Sequence, residues 1–290
     1  MLYNRISGRI PIQKGWAPDK KYKVIIDERP YLLRISSEDS YLRIMGQHKA
    51  MSKVATLGIP MCHPVEFGIC PEGIYVLHSW VDGRDAEDVL MAASEEIQYA
   101  YGLDAGRILH RIHSIPAPED AQDWELRFNR KIDRKLVQYG QCPLKYEEDE
   151  TMLRYLAENR HLLKNRPQCY QHGDYHVGNM MIDNKGVLTI IDFEKDDYGD
   201  PWEEFNRIVW CAQKVPAMAR GMVDGYFDGH VPVEFWQLLA LYICSNSLGS
   251  LPWAVSFGQR EIQVMRSQQR EILFWYDGMK NVVPSWYRTH

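Results

Sequence analysis

Residues 170–205 read YQHGDYHVGNMMIDNKGVLTIIDFEKDDYGDPWEEF. Met180-Met181-Ile182 and the run from Val187 to Ile191 are strand-like, and Asp183-Asn184-Lys185-Gly186 separates them. Asn and Gly tolerate positive φ, so the insert reads as a hairpin turn. With the turn centred on Asn184-Lys185, Asn179 falls opposite Ile190 or Ile191, and Asp192 follows one or two residues later. A single hairpin therefore brings an amide oxygen and a carboxylate to one end of one sheet. Two hard oxygen ligands side by side are what a phosphate-carrying Mg²⁺ requires. Asp174 lies upstream of Asn179, in a loop that contains Gly173 and Gly178. Such a loop is tight and irregular, and it places Asp174 near the metal without being on it, where a base can take a hydroxyl proton. His172 and His176 share this loop. The two glycines break the helix that a zinc-binding histidine pair would need, so the imidazoles read as braces of the loop.

Upstream, the texture is β-rich. Val24-Ile25-Ile26 and Tyr31 to Ile35 form a second hairpin across the polar turn Asp27-Glu28-Arg29-Pro30. The pattern predicts a helix over 40–57, stopped by Gly58 and Pro60. Two more strands are expected near Val65–Phe67 and Ile74–Leu77. After Asp82-Gly83 the period becomes helical. Ile97, Tyr101, Ala105, Ile108, Leu109 and Ile112 recur on one face, Ser94 with Glu95 and Glu96 starts the run, and Pro116 ends it. Further helices are expected near 123–139, 147–163, 202–213, 217–227, 233–248 and 260–278. The expected fold class is α+β and bilobal. Residues 1–78 form a small β-rich lobe with one helix, 79–83 a hinge, and 84–290 a larger helical lobe that carries the catalytic loop and the acceptor pocket. Ligands favour the crevice between such lobes.

The pattern H-G-D-Y-H-V-G-N, then I-I-D-F-E, then G-D-P resembles the signature of the aminoglycoside phosphotransferase family, whose fold is similar to that of protein kinases. The D-x-x-x-x-N spacing is also that of the protein-kinase catalytic loop. The resemblance implies that Asp174 is the catalytic base, that Asn179 and Asp192 hold Mg²⁺, and that Asp200 braces the loop. Leu109 to Pro116 is similar to the family's helix before that loop. His78 to Gly83 is similar to its hinge, where the backbone of Ser79, Trp80 and Val81 would meet the purine of ATP or GTP. The last 80 or so residues find no counterpart. The implied acceptor is a hydroxyl of a small molecule. An aminoglycoside or other antibiotic is the first expectation. Choline-, homoserine- and fructosamine-type acceptors, or a nucleotide-binding pseudokinase that serves as an interaction module, remain open. No A-P-E segment follows the D-F-E, which disfavours a protein kinase.

The chain departs from that pattern in its first lobe. Kinase-like folds place a lysine on the third strand, paired with a glutamate of the next helix. Here Arg34 takes the strand position, and no acid occurs between Asp39 and Glu66, which leaves Gln47 as the occupant of the glutamate position. Arginine binds phosphate bidentately, but it is no simple substitute for lysine. The usual Gly-rich loop is missing, so Lys14 to Lys21 must cover the phosphates, with Lys20 or Lys21 as contacts. Asp196, Asp197, Glu203 and Glu204 form an acidic run suited either to a cationic acceptor or to a solvated face. The C-terminal aromatics Trp236, Trp253, Phe257, Trp275, Tyr276, Trp286 and Tyr287 read as helix-packing core, with a cation cage as the alternative.

The bulk numbers agree with an ordinary globular enzyme. A formal net charge of −5 gives no basic balance for nucleic acid. Cys62, Cys70, Cys142, Cys169, Cys211 and Cys244 include no C-x-x-C, which argues against a zinc ribbon or a redox pair. Scattered thiols fit a reducing, cytoplasmic setting, and the N-terminus shows no signal-peptide pattern. The uncharged stretch Phe235 to Gln259 is long enough for a membrane, but its Gln, Ser, Asn, Gly and Pro content predicts a buried helix pair broken near Ser250–Pro252, and no membrane partner.

Overall fold

The computed structural model describes residues 1–13 and 19–288. Lys14 to Pro18 of the expected phosphate-covering loop lie outside the described residues. The chain divides into two compact units, 1–86 with 179–196, and 87–178 with 197–290.

The first unit is built on a five-stranded antiparallel sheet. Its strands are β1 (Ile6–Ile12), β2 (Lys20–Ile26), β3 (Arg29–Ser36), β4 (Pro64–Cys70) and β5 (Gly73–Ser79), in the order β1-β2-β3-β5-β4. The strand pattern did not predict β1. The β2–β3 turn is tighter than expected: Asp27 and Glu28, both at positive φ, make it alone, and Pro30 pairs with Ile25. Strand alternation sorts the two faces. Val24, Ile26, Leu33, Ile35, Tyr75 and Leu77 form the core on one face. On the other, Ile74 and Val76 meet Ile44 of helix α1 (Tyr41–Ala55). Arg34 pairs directly with Lys21 on one side and Val76 on the other.

Residues 179–196 were expected in the helical lobe, yet they join this first unit. Met180–Asp183 and Leu188–Ile190 form the expected hairpin, and Gly83–Asp85 adds a third strand beside it. Ile190 also exchanges backbone hydrogen bonds with Pro60 and Cys62, 3.0 Å each. Local strand pairing therefore outweighs chain order. The observed partners sum to 370 (Met181 with Thr189, for instance), and the Ile191 N–H donates to the Asn179 carbonyl at 3.1 Å. That places Asn179 opposite Ile191, the second of the two expected registers.

The second unit is helical: α2 (Ala86–Met91), α3 (Glu95–Ile112), α4 (Trp124–Gln141), α5 (Asp149–Asn159), α6 (Ile208–Lys214), α7 (Pro216–Phe227), α8 (Val233–Val255) and α9 (Gln259–Trp275). Helix α3 lies so close to α7 that a Cβ on Gly102 or Gly106 would fall within 2.3 Å of an α7 carbonyl. Helix α8 is long and apolar enough to cross a membrane by length and composition, and it packs against α4, α5 and α9. It runs unbroken through Pro252, contrary to the expected break. Pro252 stands in the last turn, where a missing N–H costs one bond, and the buried stripe Leu248, Leu251, Ala254 holds that turn in register.

Candidate active site

The segment around Asp174 belongs to the helical unit. It follows a short strand, Cys169–Gln171, that pairs antiparallel with Asp197–Gly199. Gly173 takes φ +83°, a left-handed value open to glycine. His172 is fully buried, and its Nδ1 accepts the Asp174 N–H at 3.3 Å. His176 repeats the device, with Nδ1 accepting from Gly178 N at 3.1 Å. Both rings therefore carry their proton on Nε2 when neutral. The Asp174 carboxylate lies 3.2 Å from Arg207 Nε and 3.7 Å from His176 Nε2.

A brace of this loop comes from the acidic run, which the sequence offers either as a wall for a cationic acceptor or as a solvated face. Glu204 is 2% exposed, and its carboxylate accepts the Gly173 N–H at 3.0 and 3.1 Å and the Tyr175 N–H at 3.4 Å. A buried carboxylate fed by backbone donors fixes the loop, since either side left unpaired costs free energy. Asp200, also buried, receives a two-pronged Arg166 (2.6 and 3.0 Å), the Tyr242 hydroxyl (2.6 Å) and Trp202 N (2.9 Å). The acidic run does not form a free wall. Asp197 pairs with Arg127 at 3.1 Å, Glu203 with Lys131 at 2.9 Å, Glu204 is spent on the loop, and Asp196 belongs to the other unit. Among the C-terminal aromatics, Trp236 and Tyr276 are buried, Trp236 packs 4.4 Å from Tyr287, and exposed Trp253 packs on Phe257. This is packing, not a cage.

The first unit holds the remaining expected residues. Asp192 ends the hairpin with φ +66°, a conformation rare outside glycine but tolerated by Asp. Its carboxylate is 35% exposed and lies 3.8 Å from Arg34 Nη1 and 4.0 Å from Lys21 Nζ. Lys21 is thus the loop-flanking lysine that approaches the motif, while exposed Lys20 faces Glu72 at 3.6 Å. Burial pulls the Lys21 ammonium below its ordinary pKa, and Asp192 partly opposes that. Burial also lowers Arg34, against Asp192 and a 2.7 Å hydrogen bond to Asp19.

Sequence reading missed the acids that serve Arg34. Its guanidinium ion-pairs with the Glu194 carboxylate as well as with Asp19. Gln47 does not take up the cation. Its amide donates to the Glu194 carbonyl at 2.5 Å and accepts from Arg43 at 3.1 Å. A small cavity of about 30 Å³ lies among Asp19, Arg34, Gln47, His78 and Glu194. The signal was available: a helix without acids implies that the charge partner comes from elsewhere, and D-F-E supplies one. At the hinge, Ser79 is tied to His63 by its N–H (2.9 Å) and its hydroxyl (2.8 Å). Trp80 and Val81 follow outside any strand, and Lys23 Nζ sits 4.5 Å over the Trp80 ring. Asn179 and Asp192 fit a phosphate-bound Mg²⁺ by donor chemistry: two oxygen ligands at one sheet end, beside two cations.

Comparison with solved structures places the fold. A thermostable mutant of the aminoglycoside phosphotransferase APH(4)-Ia matches with a TM-score of 0.68 at 16% identity, covering 94% of this chain and 96% of the other. A ternary complex of such a mutant contains ADP and hygromycin B. The choline/ethanolamine kinase family protein from Mesorhizobium loti matches with a TM-score of 0.67 at 13% identity, over 95% and 92%. The α+β architecture is therefore of the kinase-like type. No curated protein sequence matches the chain. A family-level match covers most of the sequence, from residue 9 to residue 236, and by it this chain belongs to the phosphotransferase enzyme family, APH.

Proposed function

We propose that the protein transfers the γ-phosphoryl of ATP or GTP, as its Mg²⁺ complex, to a hydroxyl of a small molecule. Its family supports phosphotransfer. The observation that carries the residue assignment is the loop around Asp174, whose backbone is held by Glu204, His172 and His176 while the carboxylate faces the Arg207 and His176 side chains. Asp174 orients the acceptor hydroxyl and takes its proton late. Only four residues separate Asp174 from Asn179, so the chain itself keeps them within roughly 17 Å. Asn179 and Asp192 would hold Mg²⁺, which supplies charge neutralisation across the phosphates when bound. Arg34 and Lys21, at Asp192, would take the α- and β-phosphates, and Trp80 and Val81 the base.

Arg34 has acid partners after all, in Glu194 and Asp19, and this favours an active enzyme over a pseudokinase. APH(4)-Ia structures with hygromycin B show what such a fold can accept. A thermal-shift titration with ATP and GTP, with and without Mg²⁺, followed by ADP release over an acceptor panel, tests the proposal. Metal-dependent stabilisation with transfer that vanishes in Asp174→Ala is expected. Nucleotide binding with no transfer to any acceptor would leave a binding module instead.

A further inference from the structure

The helical unit holds an open cavity of about 570 Å³ that none of the proposed catalytic residues lines. Its size is that of a small-molecule site. Trp202, Tyr226 and Phe227, all half-buried, give it an apolar floor, and exposed Arg107, His110 and Asp228 give it a charged rim. The rim charges are divided by element. Arg107 and His110 stand three residues apart on one face of α3, and Asp228 follows the end of α7 in a left-handed turn, φ +50°. Arg107 touches Asp104 loosely, at 3.5 Å with both side chains more than half exposed, so its donors stay open to a ligand. Base on one helix and acid on the other, over aromatic rings, complement a molecule that carries both charges beside a ring of its own.

One floor residue also reaches toward the Asp174 loop. Tyr226 packs edge-on against His110 and His113, with ring centroids 5.3 and 5.5 Å apart. Burial raises its hydroxyl above the ordinary tyrosine value, so it stays a donor, and it lies 2.9 Å from His113 Nδ1. The other nitrogen, His113 Nε2, faces Glu204 Oε2 at 3.9 Å, and the two side chains are 3% and 1% exposed. A carboxylate favours a donor, which assigns the ring proton to Nε2 and makes Nδ1 the acceptor of the Tyr226 hydroxyl. At 3.9 Å the last contact is too long for a hydrogen bond, and buried Nε2 makes none among the described residues. Small movements of Tyr226 therefore bear on the carboxylate that holds the Gly173 and Tyr175 N–H groups. We propose that the cavity binds a small aromatic zwitterion, an aromatic amino acid by chemical class, and that the bound ring, by ordering Tyr226, tightens the Asp174 loop through His113 and Glu204. Its regulatory sense rests on Asp174 being the base; the ligand site itself does not.

The test titrates the full chain, without nucleotide, by calorimetry. The probes are L-phenylalanine and L-tryptophan, with three molecules that each lack one part: 3-phenylpropionate the ammonium, 2-phenylethylamine the carboxylate, and L-alanine the ring. At least one aromatic amino acid should bind several-fold tighter than all three, and Arg107→Ala and Asp228→Ala should each weaken it several-fold. No binding by either amino acid, equal binding by one of the three, or binding that neither rim variant weakens overturns the site. Hydrogen exchange over residues 170–179 in the same samples reads the link. Ligand should slow it several-fold in the native chain and leave it unchanged in Tyr226→Phe, which keeps the ring and loses the hydroxyl. Unchanged exchange with ligand bound, or equal slowing in Tyr226→Phe, overturns the regulatory half. If the separate transfer assay finds no phosphotransfer while binding persists, the kinase reading falls and the cavity site stands.

Discussion

The two units treat their functional residues differently. In the helical unit, the loop around Asp174 is held from within, by His172 two residues before Asp174 and His176 two before Gly178, and from outside by Glu204, which the motif did not assign to it. In the sheet unit, arginine stands where the family pattern has lysine, and its acid partners come from elements other than the next helix. Glu194, in the turn after the hairpin, and Asp19 before β2 do what a helix glutamate is expected to do. Hydrogen bonds to backbone N–H groups demand fixed geometry, so the loop tolerates little drift. An ion pair needs only proximity and low dielectric, so its acid can come from any nearby segment.

The largest expected effect breaks the conservative side. Asp174→Ala should lower kcat by roughly 10²–10⁴-fold if Asp174 is the base, with nucleotide-induced stabilisation kept. A near-normal kcat in a transfer assay would remove Asp174 from that role. Next comes the brace. Glu204→Ala strands the half-buried Gly173 and the buried Tyr175 N–H groups, at up to about 1–3 kcal/mol each. A lowered Tm together with a reduced kcat is expected, and loss of Tm alone would show the brace to be purely structural.

The rewired side is probed by Glu194→Gln, which should raise KM for ATP by about tenfold, the equivalent of about 1.4 kcal/mol, with a smaller change in kcat. Adding Gln47→Glu to that variant should recover part of the loss, because Gln47 already contacts the Glu194 backbone. No recovery would mean that position, not just charge, matters. His78 offers a pH test in the same cavity. Burial, with Arg34 nearby, pushes its imidazole down to about 3. As pH falls from about 6.5 toward 3, the unfolded chain binds a proton that the folded chain refuses, so Tm should drop in acid. His78→Leu should flatten that slope. The smallest effect is at the rim. Asp197→Asn removes a half-exposed partner of Arg127, for a cost of about 0–1 kcal/mol and no change in acceptor KM. A large KM change would restore Asp197 to the acceptor site.

The legible part of the fold was the part written in local pattern. Most helices and strands lie within a few residues of their periodic segments, because burial of one face imposes the period. The hairpin at 180–190 was readable to within one register step, since turn chemistry sets register. Strand β1, exposed along its middle and interrupted by Gly8 and Pro11, gave no signal. Pro252 looked like a break because sequence shows the lost N–H but not the buried stripe that outweighs it.

By itself, the sequence determined the spacing of Asp174, Asn179 and Asp192, the residues proposed for phosphoryl transfer, because a loop and a turn that the chain folds locally set it. Only the tertiary structure decided who neutralises whom. Glu204 left the supposed acidic wall for the loop, and Glu194 displaced Gln47 as the partner of Arg34. Those outcomes depend on distances between segments far apart in the chain, and electrostatic energy is fixed by distance and burial, not by order along the sequence.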